Sequence, residues 1–184
     1  MDMEVAWYFR LFYIPLASMA VSFLLPAIIR PKRMGRPELT KPMQVGSMVS
    51  FVGFCVWLWF IPFSINPAFW VGVGVIILGE VVFALGFIAM REHPEKKQVI
   101  VDWGIYKISR HSHMMAGAIT TLGAIIIGWN TQSVLYLFLW LYFALDIAFI
   151  HFATLYEEKR NIAKFGQEYA DYMKRVPRYL SLKW

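Results

Sequence analysis

Charge is scarce in this chain. Only 16% of its 184 residues are Asp, Glu, Lys or Arg, while 59% are hydrophobic and the mean hydropathy is +0.52. A soluble domain carries about 25% charged residues, so the shortage argues for a surface that faces lipid. Cysteine is scarcer still. The lone Cys55 lies in an apolar run, which excludes an intramolecular disulfide and reads as packing. The opening Met1-Asp2-Met3-Glu4 lacks the basic start of a cleavable signal peptide, so the first apolar stretch is expected to stay as a membrane helix. There are no internal repeats and no low-complexity tracts. No standard zinc-ligand spacing is present either: His111-Ser112-His113, even with His151 or Glu158 added, does not match one, and no metal is expected. The net charge of +6 could suggest nucleic acid. The basic residues sit in loops between apolar stretches, however, where orientation in a membrane explains them better.

What is present is a series of apolar runs long enough to cross a bilayer, which takes about 20 residues each. Five spans are expected, at Trp7–Ile29, Gln44–Phe63, Pro67–Met90, Met114–Trp129 and Ser133–Thr154. The fourth is short and holds Gly117, Gly123 and Gly128, so it should pack closely against a neighbour, because small residues let helix backbones approach. With five spans, every Lys and Arg except Arg10 falls on one side. The positive-inside rule then predicts an outside N-terminus and a cytoplasmic C-terminus. From Tyr156 to Arg175 the chain is polar enough to leave the membrane as a helix that Pro177 ends. Ile162, Phe165, Tyr169 and Tyr172 recur at helical spacing and predict a face that lies on the bilayer or caps the bundle, with Gly166 as a point of weakness. The expected fold is an all-α, polytopic membrane protein. It forms one integral membrane domain over residues 1–184, with three spans in 1–90 and a loop, a helical hairpin and a C-terminal amphipathic helix in 91–184.

Chemistry-bearing residues concentrate in two segments on the cytoplasmic side. Gly104-Ile105-Tyr106-Lys107-Ile108-Ser109-Arg110-His111 leads into the fourth span, and Tyr156-Glu157-Glu158 follows the fifth. The two spans form a hairpin, so their cytoplasmic ends can meet. On a continuous helix His151, Thr154, Leu155 and Glu158 share a face, while Glu157 points about 100° away from Glu158. One carboxylate can then face a pocket while the other makes a structural pair. Glu157 to Arg160 also read as a solvated helix end, and Arg110 as a headgroup anchor. Glu80 and Asp146 lie deep in spans, where such residues face the bundle interior or a cavity; Glu80 reads as interhelical glue, Asp146 as either glue or function.

These segments resemble the isoprenylcysteine carboxyl methyltransferase superfamily of integral membrane methyltransferases, which includes phospholipid N-methyltransferases. Its members show Gly-x-Tyr-x-x-x-Arg-His-Pro-x-Tyr-x-Gly, then Leu-Gly, Glu-Glu, Phe-Gly, spaced Tyr and Val-Pro-Arg. Here Gly104, Tyr106, Arg110, His111, Leu122-Gly123, Glu157-Glu158, Phe165-Gly166, Tyr169, Tyr172 and Val176-Pro177-Arg178 match in register. The match covers roughly the last 85 residues. Ser112 stands where the family has Pro, Met114 where it has Tyr, and Ala116 where it has Gly, with Gly117 one place on.

The resemblance implies S-adenosylmethionine as cofactor and a lipid or lipidated acceptor in the bilayer, of the isoprenylcysteine carboxylate or phospholipid amine type. It implies that Tyr106 and His111 hold the amino-acid end of the cofactor. Glu157 or Glu158 would accept hydrogen bonds from its ribose hydroxyls or ammonium, and Met114, Ala116 and Gly117 would line its site. Arg178 and Arg110 would orient an anionic acceptor, for which Arg offers a planar fork. For an amine acceptor, Glu158 or His151 would be the base. Two other readings stand beside this one. Sterol reductases carry a similar hairpin with an Arg-His segment and use NADPH, and a non-catalytic membrane protein could keep the same fold. The Glu-Glu pair and the small size favour the methyltransferase. Nothing in the sequence selects the acceptor or the oligomeric state.

Overall fold

The computed structural model of the protein describes residues 41–61, 65–91, 100–129 and 134–180. The expected first span Trp7–Ile29 and the basic loop after it up to Glu38 lie outside the described residues, as do Lys96, Lys97 and Lys183. Among the described residues the structure is entirely helical: α1 (Lys41–Trp59), α2 (Pro67–Arg91), a 3-10 turn (Gly104–Lys107), α3 (Ser112–Ile127), α4 (Val134–Phe165) and α5 (Gln167–Arg175). Two of these, α2 and α4, are long and apolar enough to cross a membrane; α3 is apolar but shorter. Many of their large apolar side chains point outward, with Leu137, Leu145 and Phe152 each more than 60% exposed. An extended apolar exterior of this kind marks a surface with a nonpolar partner.

The start of α2 is set by Asn66-Pro67. The Asn66 side-chain oxygen accepts from the Phe69 N–H at 3.0 Å, satisfying a helix-end donor, and Pro67 supplies a first residue that has no donor to lose. Along α2, Gly72, Gly79 and Gly86 recur every seven residues on the side that meets α3. A Cβ on Gly72 would stand 2.7 Å from the Gly123 carbonyl oxygen, and one on Gly123 would stand 2.8 Å from the Gly72 carbonyl oxygen. The two backbones therefore touch. This is the close approach that the glycines of the fourth span predict, with Gly123 as the residue that makes it. Gly128 packs against Tyr136 instead, and Gly117 faces open space. Thr120 donates to Glu80 across the same seam at 3.5 Å.

At the far end of the hairpin, Phe54, Leu58 and Ile61 of α1 and its following turn close a core with Ala124, Ile125, Ile127, Tyr136 and Leu139. At the other end, Gly104 begins the 3-10 turn at φ +56° with a virtual Cβ 2.9 Å from the Ala89 side chain. Both its backbone angle and its closeness to α2 call for glycine. The Trp103 indole donates to the Ala89 carbonyl at 2.7 Å and ties the same loop to the end of α2.

The polar stretch from Tyr156 to Arg175 is helical on both sides of Gly166, the point of weakness in the sequence. α4 runs unbroken through Thr154 to Phe165, and the break comes at Gly166, at φ 58° and ψ −130°. That conformation is nearly glycine-only, so helical periodicity does not carry across it. The expected face splits accordingly: Tyr169 and Tyr172 are buried against Ile100 and Val176, whereas Ile162 is 43% exposed.

Candidate functional site

The two chemistry-bearing segments meet where α3 begins and α4 nears its end. Glu158 is 3% exposed and accepts from three guanidinium N–H groups. Arg110 Nη2 reaches its Oε1 at 2.7 Å, Arg178 Nε the same oxygen at 3.0 Å, and Arg178 Nη2 its Oε2 at 2.6 Å. His111 is 1% exposed and stands between both carboxylates, with Nδ1 3.4 Å from Glu157 Oε2 and Nε2 3.4 Å from Glu158 Oε1. These are ion-pair distances; neither ring nitrogen is aligned for a hydrogen bond.

Arg110 does more than pair. Its Nη1 donates to the carbonyls of Met173 and Val176, and its backbone N–H donates to the Pro177 carbonyl at 3.1 Å. Ser109 donates to the Arg178 carbonyl at 3.1 Å, and the Tyr172 hydroxyl donates to the Tyr106 carbonyl at 2.8 Å. The loop before α3 thus clasps the segment after α5 and brings Arg178 onto Glu158. On α4, Thr154 is fully buried one turn before Glu158 and donates to the Met114 sulfur of α3 at 3.0 Å. That contact, together with the arginine bonds, sets the rotation of α4 so that Glu158 faces inward. His151, two turns before Glu158, meets the Tyr179 hydroxyl at 3.2 Å.

Electrostatics separate the two carboxylates. Burial pushes the Glu158 carboxyl up, but His111, Arg178 and Arg110 outweigh it and hold the carboxyl well below the usual range. Glu157 is held below its ordinary value against the same burial, chiefly by His111. For His111 burial favours the neutral ring, and Glu157 and Glu158 together overcome that and raise its pKa. The Tyr106 hydroxyl is pushed up to about 12, mainly by burial. The cluster therefore carries Arg110, Arg178 and a readily protonated His111 against two ionised carboxylates.

The expected site residues are not all brought together. Arg110, His111, Glu157, Glu158 and Arg178 form one cluster, and Tyr106 is buried beside it. Met114 reaches the same side of α3 through Thr154. Ala116 is buried in the glycine seam against Gly79 of α2, and Gly117 is exposed with nothing around it, so their contacts lie elsewhere. Of the two carboxylates, Glu158 is saturated by protein donors, while the Glu157 side chain is 19% exposed. The sequence did not point to Ser109 and Tyr172 as a clasp. It did single out Ser112, but only as a departure from a motif. Its hydroxyl is buried beside that of Tyr106, while both ring nitrogens of His111 and Nδ1 of His113 are buried without an aligned hydrogen bond.

Compared with protein-family models, curated proteins and solved structures, the chain has no match.

Proposed function

We propose that the protein is an integral membrane methyltransferase that uses S-adenosylmethionine and draws a lipid-like acceptor from the bilayer. The observation that carries this reading is the convergence of the two segments that resemble such enzymes. Arg110 and Glu158, 48 positions apart, are joined at 2.7 Å inside one charged cluster. The wider topology in the proposal is five spans with the N-terminus outside and this cluster on the cytoplasmic side. Helix dimensions support that placement. From Val134 to Thr154, α4 rises about 31 Å at 1.5 Å per residue, close to the roughly 30 Å of a hydrocarbon core. Glu157 and Glu158 follow one turn later, at the water boundary. At the opposite end, Trp57, Trp70 and Trp129 are exposed, as suits aromatic residues at the second interface.

The residues fit the amino-acid end of the cofactor. A sulfonium ligand with an ammonium group needs an accessible carboxylate, and Glu157, paired with His111 but with its side chain 19% exposed, supplies one. His111, buried between the two carboxylates, adds a readily protonated ring to the same site. When bound, the cofactor supplies a methyl group already activated by its positive sulfur, so the protein's part is positioning more than acid–base chemistry. Glu157 takes the ammonium, and His111 and Tyr106 flank the amino-acid end. Glu158 is a positioning residue: it neutralises Arg110 and Arg178 and keeps the C-terminal segment closed over the site. Arg178, whose side chain is 31% exposed, is the guanidinium within reach of an acceptor.

The test is calorimetric titration of the detergent-purified chain with S-adenosylmethionine, with NADPH in parallel. Binding of S-adenosylmethionine alone supports the proposal. Binding of NADPH alone moves the protein to the reductases. Failure of folded protein to bind either makes the cluster a structural clasp.

A further inference from the structure

The segment after α5 bridges α3 and α4. Its backbone is held from the α3 side, where the Arg110 N–H donates to the Pro177 carbonyl and Ser109 to the Arg178 carbonyl. Its side chains reach α4, where Arg178 meets Glu158 and Tyr179 meets His151. Along α4 these two contacts descend toward the hydrocarbon. From Glu158 back to His151 the helix falls about 10 Å at 1.5 Å per residue. His151 therefore lies on the hydrocarbon side of Thr154, where α4 leaves the core. Polar groups at that depth are costly unless something satisfies them. His151 is partly buried, and its Nδ1 stands 3.2 Å from the Tyr179 hydroxyl, with the two rings 6.1 Å apart. Each polar tip satisfies the other, as two groups withdrawn from water require. The second observation is independent of this pair. Leu180 follows Tyr179 directly and is 63% exposed. On α4, Phe152 beside His151 is exposed, and so is Leu155, which shares the His151 side one turn on. Leu180 is thus next in the chain to a residue docked on an apolar exterior, and it adds to that exterior.

We infer that Tyr179-Leu180 re-enters the bilayer at the boundary that α4 leaves, and that the partner of this surface is the lipid acyl chains. Leu180 lies among the chains, and the Tyr179 hydroxyl is satisfied by His151 in place of water. The inference rests on the placement of α4 across the bilayer and is independent of the reaction that the charged cluster serves. Arg178, between Glu158 and Tyr179, then stands directly above a lipid-facing segment.

The experiment reads depth from fluorescence quenching. Leu180→Cys in the full chain is labelled with nitrobenzoxadiazole and placed in phosphatidylcholine vesicles. Its emission is quenched in turn by a phosphatidylcholine spin-labelled near the top of its acyl chain and by aqueous iodide. Two labelled variants calibrate it: Phe152→Cys, on the apolar exterior of α4, and Lys174→Cys, on the exposed side of α5. Cys55 is buried, and the unaltered chain gives its background labelling. Leu180 is exposed, so a cysteine there leaves the packing intact. The Leu180 label should lose emission to the lipid spin label as fully as the Phe152 label and resist iodide as well as it does. Quenching by iodide to the degree seen at Lys174, without loss to the spin label, overturns the inference and leaves α4 in the bilayer. Failure of the lipid spin label to quench at Phe152 overturns both. A second measurement needs no label. Tyr179→Phe strands the His151 ring and should lower the unfolding midpoint in vesicles, while adding His151→Leu should restore it, because removing both partners of a buried pair is nearly neutral. An unchanged midpoint in Tyr179→Phe overturns the satisfaction of the Tyr179 hydroxyl by His151.

Discussion

Replacing Glu158 with Gln tests whether this carboxylate holds the fold or holds a ligand. The substitution keeps the shape and removes the charge under three guanidinium N–H bonds of 2.6–3.0 Å. Removing one partner of a buried ion pair costs about 3–5 kcal/mol, because the other charge is left uncompensated. The Arg110 side chain is 6% exposed and cannot recover solvation, whereas that of Arg178 is 31% exposed and recovers part of it. The expected loss is therefore at the lower end, about 3 kcal/mol. Thermal unfolding in detergent and denaturant titration both read it. Glu157→Gln is the matched control. Glu157 meets His111 at 3.4 Å with a partly exposed side chain, so its loss should cost less than about 1 kcal/mol while weakening S-adenosylmethionine binding. If Glu158→Gln unfolds at the temperature of the unaltered chain, the clasp described here does not hold the C-terminal segment. If Glu157→Gln binds the cofactor undiminished, Glu157 is not its ligand.

The same cluster predicts a stability optimum in pH. His111 has a raised pKa in the folded state, so its contribution is complete below the ordinary value of 6.5 and is lost as pH rises through the higher folded value. Glu157 and Glu158 have lowered values, so theirs is complete above 4.5 and is lost as pH falls through the lower folded values. Unfolding midpoints measured across pH should fall on both sides, and His111→Gln should flatten the alkaline limb; an unchanged alkaline limb refutes the pairing. In the helix seam, Gly72→Leu should destabilise by at least the roughly 1–3 kcal/mol typical of overpacking, since even a Cβ there lies 2.7 Å from backbone. Gly117→Ala, in open space, should be neutral or slightly stabilising. Equal effects of the two on the unfolding midpoint would refute the seam.

Much of this was legible in the chain itself. Composition and apolar run length pointed to helices facing lipid, because the cost of burying backbone and charge in hydrocarbon leaves few other solutions. Chain order placed Arg110-His111 before one span and Glu157-Glu158 just after the next, and a hairpin brings such ends together. Helical geometry put the two carboxylates about 100° apart. Which of them faces inward is a different kind of fact. It depends on how far α4 is rotated against α3, and that rotation is fixed by contacts between residues distant in sequence: Thr154 on Met114, Arg110 and Arg178 on Glu158. The same holds for Ala116, which takes up the seam side of α3 because Gly79 leaves room for it there. Glycine content announced a close approach, but only the tertiary structure showed that Gly123 makes it and Gly117 does not. Local sequence sets propensities and periodicities. The pairing of faces is decided by packing between helices, and in this protein that pairing separates the carboxylate buried under two arginines from the one whose side chain stays partly exposed.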